Sequence, residues 1–162
     1  SRPGRDEAAA EPMPTEAVQA ATAQAEKRVK VAMGLVGMRR YPEALRMIGA
    51  VIADGAGKSL LQAEHRTEAL LAMGEAYLML ARSDETPTGF VDGWRELCAM
   101  RGQHALVAAT REVCRVDGPP ERREQLQLRV ERTSDELLIA TAPATEGGAA
   151  SASACDTAAS AA

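Results

Sequence analysis

The stretch ALLAMGEAYLMLA, residues 69–81, carries small or apolar side chains on every side of a helical wheel and only one charge, Glu75. A helix apolar nearly all round needs neighbours on more than one side. This segment is therefore expected at the centre of the fold, with other helices packed around it. The residues before it, QAEHRTE (62–68), are polar, and the spacing predicts one long helix from Ser59 to Arg82. No stretch of the chain shows the period-two alternation of a half-buried strand.

Working outward, the apolar residues keep helical spacing. Val18, Thr22, Ala25, Val29, Ala32 and Val36 recur at steps of three or four and predict a helix over Thr15–Met38. Pro42 and Glu43 suit a first turn, and Ala44, Leu45, Ile48, Val51 and Ile52 form the buried face of a second helix. Gly55 and Gly57 are expected to stop it. After a loop at SDETPTG (83–89), Phe90, Trp94, Leu97 and Cys98 mark one face of a short helix ending at Gly102. Leu106, Ala109, Val113 and Val116 stripe a fifth, closed by Asp117-Gly118. Pro119-Pro120 opens a sixth, with Leu126, Val130, Thr133 and Leu137 on one side. The expected fold is all-α: five to six helices in antiparallel pairs over residues 15–140. Residues 1–14, rich in proline and charge, are expected to be disordered, and 141–162, rich in Ala, Ser and Gly, to form a flexible tail.

Composition narrows the function. The chain has 162 residues, the size of one ordinary domain, and its formal net charge of −4 offers no electrostatic case for binding nucleic acid. Only Tyr41, Tyr77, Phe90 and Trp94 are aromatic, so the core is built from Ala, Leu, Val and Met, which suits close-packed helices. Cys98, Cys114 and Cys155 form no CxxC pair, and His65 and His104 are the only histidines, so no metal site is expected. The odd cysteine count fits an intracellular, reducing compartment, cytoplasm or organelle matrix. No apolar run approaches the roughly 18 residues that span a bilayer, and the N-terminal residues lack a secretory apolar region.

The stretch most suggestive of chemistry is GAGKS, residues 55–59. A phosphate-binding loop needs another glycine five residues before Gly57, where the chain has Ile52, and it needs a preceding buried strand. A helix, a glycine-rich turn and another helix account for the residues better, so Lys58 and Ser59 carry only a minor nucleotide-binding alternative. His65, among Glu64, Arg66 and Glu68, is read as an exposed histidine; His104 stands alone. Cys98 and Cys114 lie on apolar stripes and are read as small core residues. ERREQLQLRVERTSDE (121–136) balances four arginines against five acids and reads as a solvated face. No catalytic residue and no cofactor are expected.

Two stretches resemble tetratricopeptide (TPR) repeats. Met73-Gly74 followed by Tyr77 is similar to the pattern of a TPR first helix. Tyr41-x-x-Ala44-Leu45 with Ile48 and Val51 resembles the start of a second helix. The resemblance implies a TPR-like α-solenoid whose third helix is extended by about two turns relative to a regular repeat. It also implies a groove walled by first-helix residues, including Val29, Ala32, Met73 and Tyr77. Apart from the resemblance, Phe90 and Trp94, half of the aromatic residues and beside a loop, are read first as core packing and alternatively as a hot spot for a partner. The function expected from it is that of a non-catalytic scaffold or adaptor binding other proteins. A subunit held permanently in a larger assembly is the alternative.

Overall fold

The computed structural model describes residues 14–85 and 92–142, and these are helical throughout apart from the connections. Six helices are present among them: α1 (Pro14–Gly37), α2 (Tyr41–Ala53), α3 (Gly55–Leu60), α4 (Ala63–Arg82), α5 (Trp94–Val113) and α6 (Pro120–Thr141). No strand occurs among the described residues. The all-α expectation holds, while the division into helices differs at three points.

The turn from α1 to α2 is as short as the sequence implies. Arg39 adopts a left-handed φ of 61°, and its N–H and that of Arg40 donate back to the carbonyls of Val36 and Leu35 at 3.0 and 2.9 Å. This pattern closes α1 as a Schellman motif, with arginine in a place where glycine avoids a cost of about 1 kcal/mol. Tyr41 then starts α2 at once, with Pro42 in its first turn and the Arg40 guanidinium bonded to Glu43 at 2.9 Å.

The first difference is at GAGKS. Gly55 and Gly57 do not form a turn between helices; α2 ends at Asp54, which is extended (φ −70°, ψ 104°), and residues 55–60 coil into α3. The second follows from it. The expected helix Ser59–Arg82 is broken at Gln62 (ψ 155°): Ser59 and Leu60 belong to α3, and α4 keeps the 20 residues Ala63–Arg82. The break has a packing reason: Leu61, 1% exposed, is buried with Ala25, Val29, Ile48 and Val51 of α1 and α2. A straight helix through position 61 would keep the chain on the line of α4. The Arg66 guanidinium donates to the carbonyl of Leu61 and satisfies the bend.

The third difference is Gly102. It does not end a helix; the expected fourth and fifth helices are one continuous α5. A Cβ at Gly102 would stand 2.9 Å from Leu137 Cδ2 on α6 and 3.1 Å from Tyr77 Cβ on α4, so the glycine marks a helix crossing. Gly74 of α4 is the counterpart, where a Cβ would lie 2.6 Å from Leu106 Cδ2 on α5. Pro14 and Thr141, expected in the tails, are the first residue of α1 and the last of α6, while residues 1–13, 143–162 and Phe90 lie outside the described residues.

α4 is central. It packs on α1 and α2 on one side and on α5 and α6 on the other, while α1 pairs with α2, and α5 with α6. Ala25, Val29, Ala32, Ile48, Val51 and Leu61 meet Ala69 and Ala72 in one core cluster. Leu70, Leu71 and Leu78 meet Leu106, Ala109, Val130 and Leu137 in another. Along α4 and α6 the ion pairs advance in step, Glu64 and Glu68 with Arg122, Glu75 with Arg129, Arg82 with Glu136, so these two helices run parallel.

The glycines give opposed expectations. Gly74→Ala gains about 0.5–1 kcal/mol of helix propensity but drives a methyl into the buried Leu106, and overpacking of that kind costs about 1–3 kcal/mol. A net loss of stability is expected in urea unfolding. Gly49→Ala on α2, where nothing lies within 4 Å of the new Cβ, should raise stability by about 0.5–1 kcal/mol.

Candidate functional site

The parallel run of α4 and α6, with the end of α1 alongside, leaves an open groove of about 370 Å³. Its apolar lining is Val36 from α1, Tyr41 from α2, and Leu78 and Met79 from α4; Thr133 of α6 contributes a hydroxyl already donated to the Arg129 carbonyl at 2.8 Å. Its polar lining is Glu75 and Arg82 from α4 with Arg129, Arg132 and Glu136 from α6. On α4 the positions 75, 78, 79 and 82 follow steps of three, one and three, which is one helix face.

The charges in this groove are paired loosely. Arg129 reaches Glu75 at 3.0 Å, Arg82 reaches Glu136 at 3.3 Å, and Arg132 meets the same Glu136 at 3.0 Å. Three guanidinium groups thus face two carboxylates, and the Arg132 side chain is 82% exposed. Exposed pairs of this kind contribute about 0–1 kcal/mol each. An arriving carboxylate can therefore replace them at little cost.

Other ion pairs serve the scaffold. Glu112, buried in α5, accepts from Arg66 of α4 at 2.9 Å and lies 3.4 Å from Arg115. Arg122 at the start of α6 donates to Glu64 at 2.5 Å and also to Glu68. The hydrogen bond to Glu64, reinforced by the charges of both carboxylates, raises the Arg122 pKa above the ordinary arginine value.

The residues expected to wall a groove are placed elsewhere. Val29 and Ala32 are fully buried in the α1–α2–α4 core and present no surface to a partner. Met73 packs against that same cluster. Tyr77 is half-buried and turned toward Gly102 of α5. Trp94, half-buried at the start of α5, borders a separate polar depression with Ser83, Asp84, Asp92, Arg95 and Glu96. The lining positions on α4 were nevertheless signalled: Glu75 is the lone charge of an apolar run, and Arg82 lies seven residues, two turns, further on.

The remaining candidates divide similarly. Lys58 and Ser59 are exposed on α3, and no strand precedes them among the described residues. His104 is exposed, but His65 is half-buried with Nδ1 3.5 Å from Glu26 of α1, a contact that joins α1 to α4. Cys98 is buried as expected; Cys114 is exposed, its Sγ donating to the Thr110 carbonyl at 3.5 Å. The helix explains the second case, because with Ala109 and Val113 inward, position 114 is turned about 100° away. Among the described residues no group of three or more His, Cys, Asp or Glu is arranged to hold a metal ion, and no helix is long and apolar enough to cross a membrane. Comparison with known protein families, with curated proteins and with solved structures returns no match.

The two cysteines among the described residues should behave differently. Burial pushes the Cys98 thiol from 9.0 up to about 11, only partly opposed by the charge of Arg101. Alkylation of the native protein followed by peptide mapping should label Cys114 and spare Cys98. Because the folded pKa is the higher one, this thiol's contribution is whole below pH 9 and is lost as pH rises toward 11. Stability should fall more steeply over that window in the wild type than in Cys98→Ala.

Proposed function

We propose that this chain is a non-catalytic protein-interaction module of TPR-like architecture, a scaffold or adaptor that receives a partner segment in the groove of α1, α4 and α6. The groove carries the reading. It combines an apolar floor of Val36, Leu78 and Met79 with exposed, loosely paired arginines. Such a surface suits an extended or helical segment that inserts an apolar side chain and offers a carboxylate to Arg129 or Arg132.

The repeat-like reading draws support from the order of packing. On this proposal α1, α4 and α6 correspond to successive first helices, and α2 and α5 to the second helices between them. In this reading α1 and α4 each touch their own partner and the next first helix, the nearest-neighbour pattern of a stacked array. Close approach at Gly74 fits the Met73-Gly74-x-x-Tyr77 resemblance, in which a small residue lets two helices cross tightly.

Met79 is the residue to test, because it is partly exposed and its replacement leaves the core intact. Wild type and Met79→Glu would be used as baits with the full chain, and captured proteins quantified by mass spectrometry. A partner held through the groove should drop about tenfold or more with Met79→Glu, the equivalent of at least 1.4 kcal/mol. It should remain with Val107→Glu, a control at an exposed site on α5. Equal capture by all three proteins, with unchanged circular dichroism, would remove the groove from the interaction.

A further inference from the structure

The face of α6 directed away from the core is not uniformly polar. Leu128 is 65% exposed and Ile139 74%, and between them lie Arg132 and Asp135. At 100° per residue these four fall within a wedge of about 60°. That wedge is centred opposite the buried stripe of Leu126, Val130, Thr133 and Leu137. Leu138, also exposed, flanks it.

The order of the four residues has a symmetry. Leu128 and Ile139 are equidistant from the point between Thr133 and Ser134, and so are Arg132 and Asp135. If a second α6 is laid antiparallel on this face about that point, Leu128 meets the partner copy's isoleucine at the other end. Arg132 then meets the partner copy's aspartate, and the same two contacts repeat by the two-fold axis. Such an isologous contact needs residue i to fit residue j and j to fit i, and here both the apolar and the charged pairs do. The apolar ends stand about 16 Å apart along the helix, and the central pair spans a gap that an arginine side chain crosses.

The charges are available for it. Asp135 is exposed, and no side-chain hydrogen bond or ion pair of its carboxylate is present among the described residues. Arg132 uses its Nε on Glu136 of its own helix, leaving its terminal nitrogens for another acceptor.

We propose that the outer face of α6 docks a second copy of this chain, forming an antiparallel, two-fold α6–α6 contact through Leu128, Arg132, Asp135 and Ile139. The surface shares Arg132 with the rim of the groove but none of the groove's apolar floor. One helix face buries less than the roughly 800 Å² per partner of a standard stable interface, so the dimer is a weak one that forms with rising concentration.

Charge reversal tests both the face and its symmetry. Sedimentation equilibrium of the full chain should show a mass that rises toward twice the monomer by about 1 mM, the range of a weak contact. Arg132→Glu and Asp135→Arg, each alone, place like charges together twice per dimer and should each weaken association by about tenfold or more. An equimolar mixture of these two variants restores opposite charges at both contacts and should associate again, as should the double variant Arg132→Glu/Asp135→Arg. All four positions are solvent-exposed, and circular dichroism of each variant checks that the fold is kept. A wild type that stays monomeric throughout overturns the proposal. So does a dimer indifferent to both reversals, or a mixture that associates no better than either variant alone.

Discussion

The close approach of α4 and α5 is the constraint on which the remaining packing rests. Leu106 of α5 occupies the space left by the missing side chain of Gly74, and Leu137 of α6 lies in the corresponding notch at Gly102, beside Tyr77. Helix axes come this near only where one side chain of each facing pair is absent or very small. Ala69, Ala72, Ala76 and Ala81 extend the same economy along α4, all of them buried. A central helix with slender side chains can touch four neighbours at once, and so the alanine-rich composition and the central place of α4 have one cause.

α6 shows how differently the two sides of one helix are employed. Its sequence is the most polar in the chain, and its inner stripe of Leu126, Val130, Thr133 and Leu137 is narrow. Apolar burial along that stripe is supplemented at its edge by arginine–carboxylate pairs to α4, from Arg122 through Arg129 to Glu136. Partly buried pairs with two acceptors, such as Arg122 between Glu64 and Glu68, fix register better than they add stability. The register they hold is the parallel one, and it is this alignment that opens the groove beside Leu78 and Met79. Turned away from the groove, the far side of α6 keeps leucine and isoleucine in water.

Much of this was legible beforehand. The helical period located the buried stripes of α2 and α6 and the middle of that of α1, where Ala25, Val29 and Ala32 are buried but Val18 is exposed and Leu35 is buried in addition. The apolar character of 69–81, broken only by Glu75, placed that segment at the centre. Hydrophobic period reports which side of a helix is buried, and burial is the term that dominates folding. The same rule places Val29 and Ala32, expected along a groove wall, on the buried stripe of α1, because the strongest apolar positions are claimed by the core. Glu75, conspicuous as a lone charge, was the better guide to the open face.

The amino-acid sequence by itself determined that the chain is helical, where its apolar faces lie, and that 69–81 must be enclosed. Only the tertiary structure decided what the glycines do. Gly55 begins a helix, Gly102 lies inside one and Gly118, at φ 112°, turns the chain, yet all three read alike in isolation. A glycine signals only that a side chain is missing. Whether the vacancy relaxes the backbone or admits a neighbouring helix depends on what is packed against it, and that neighbour lies tens of residues away in the chain.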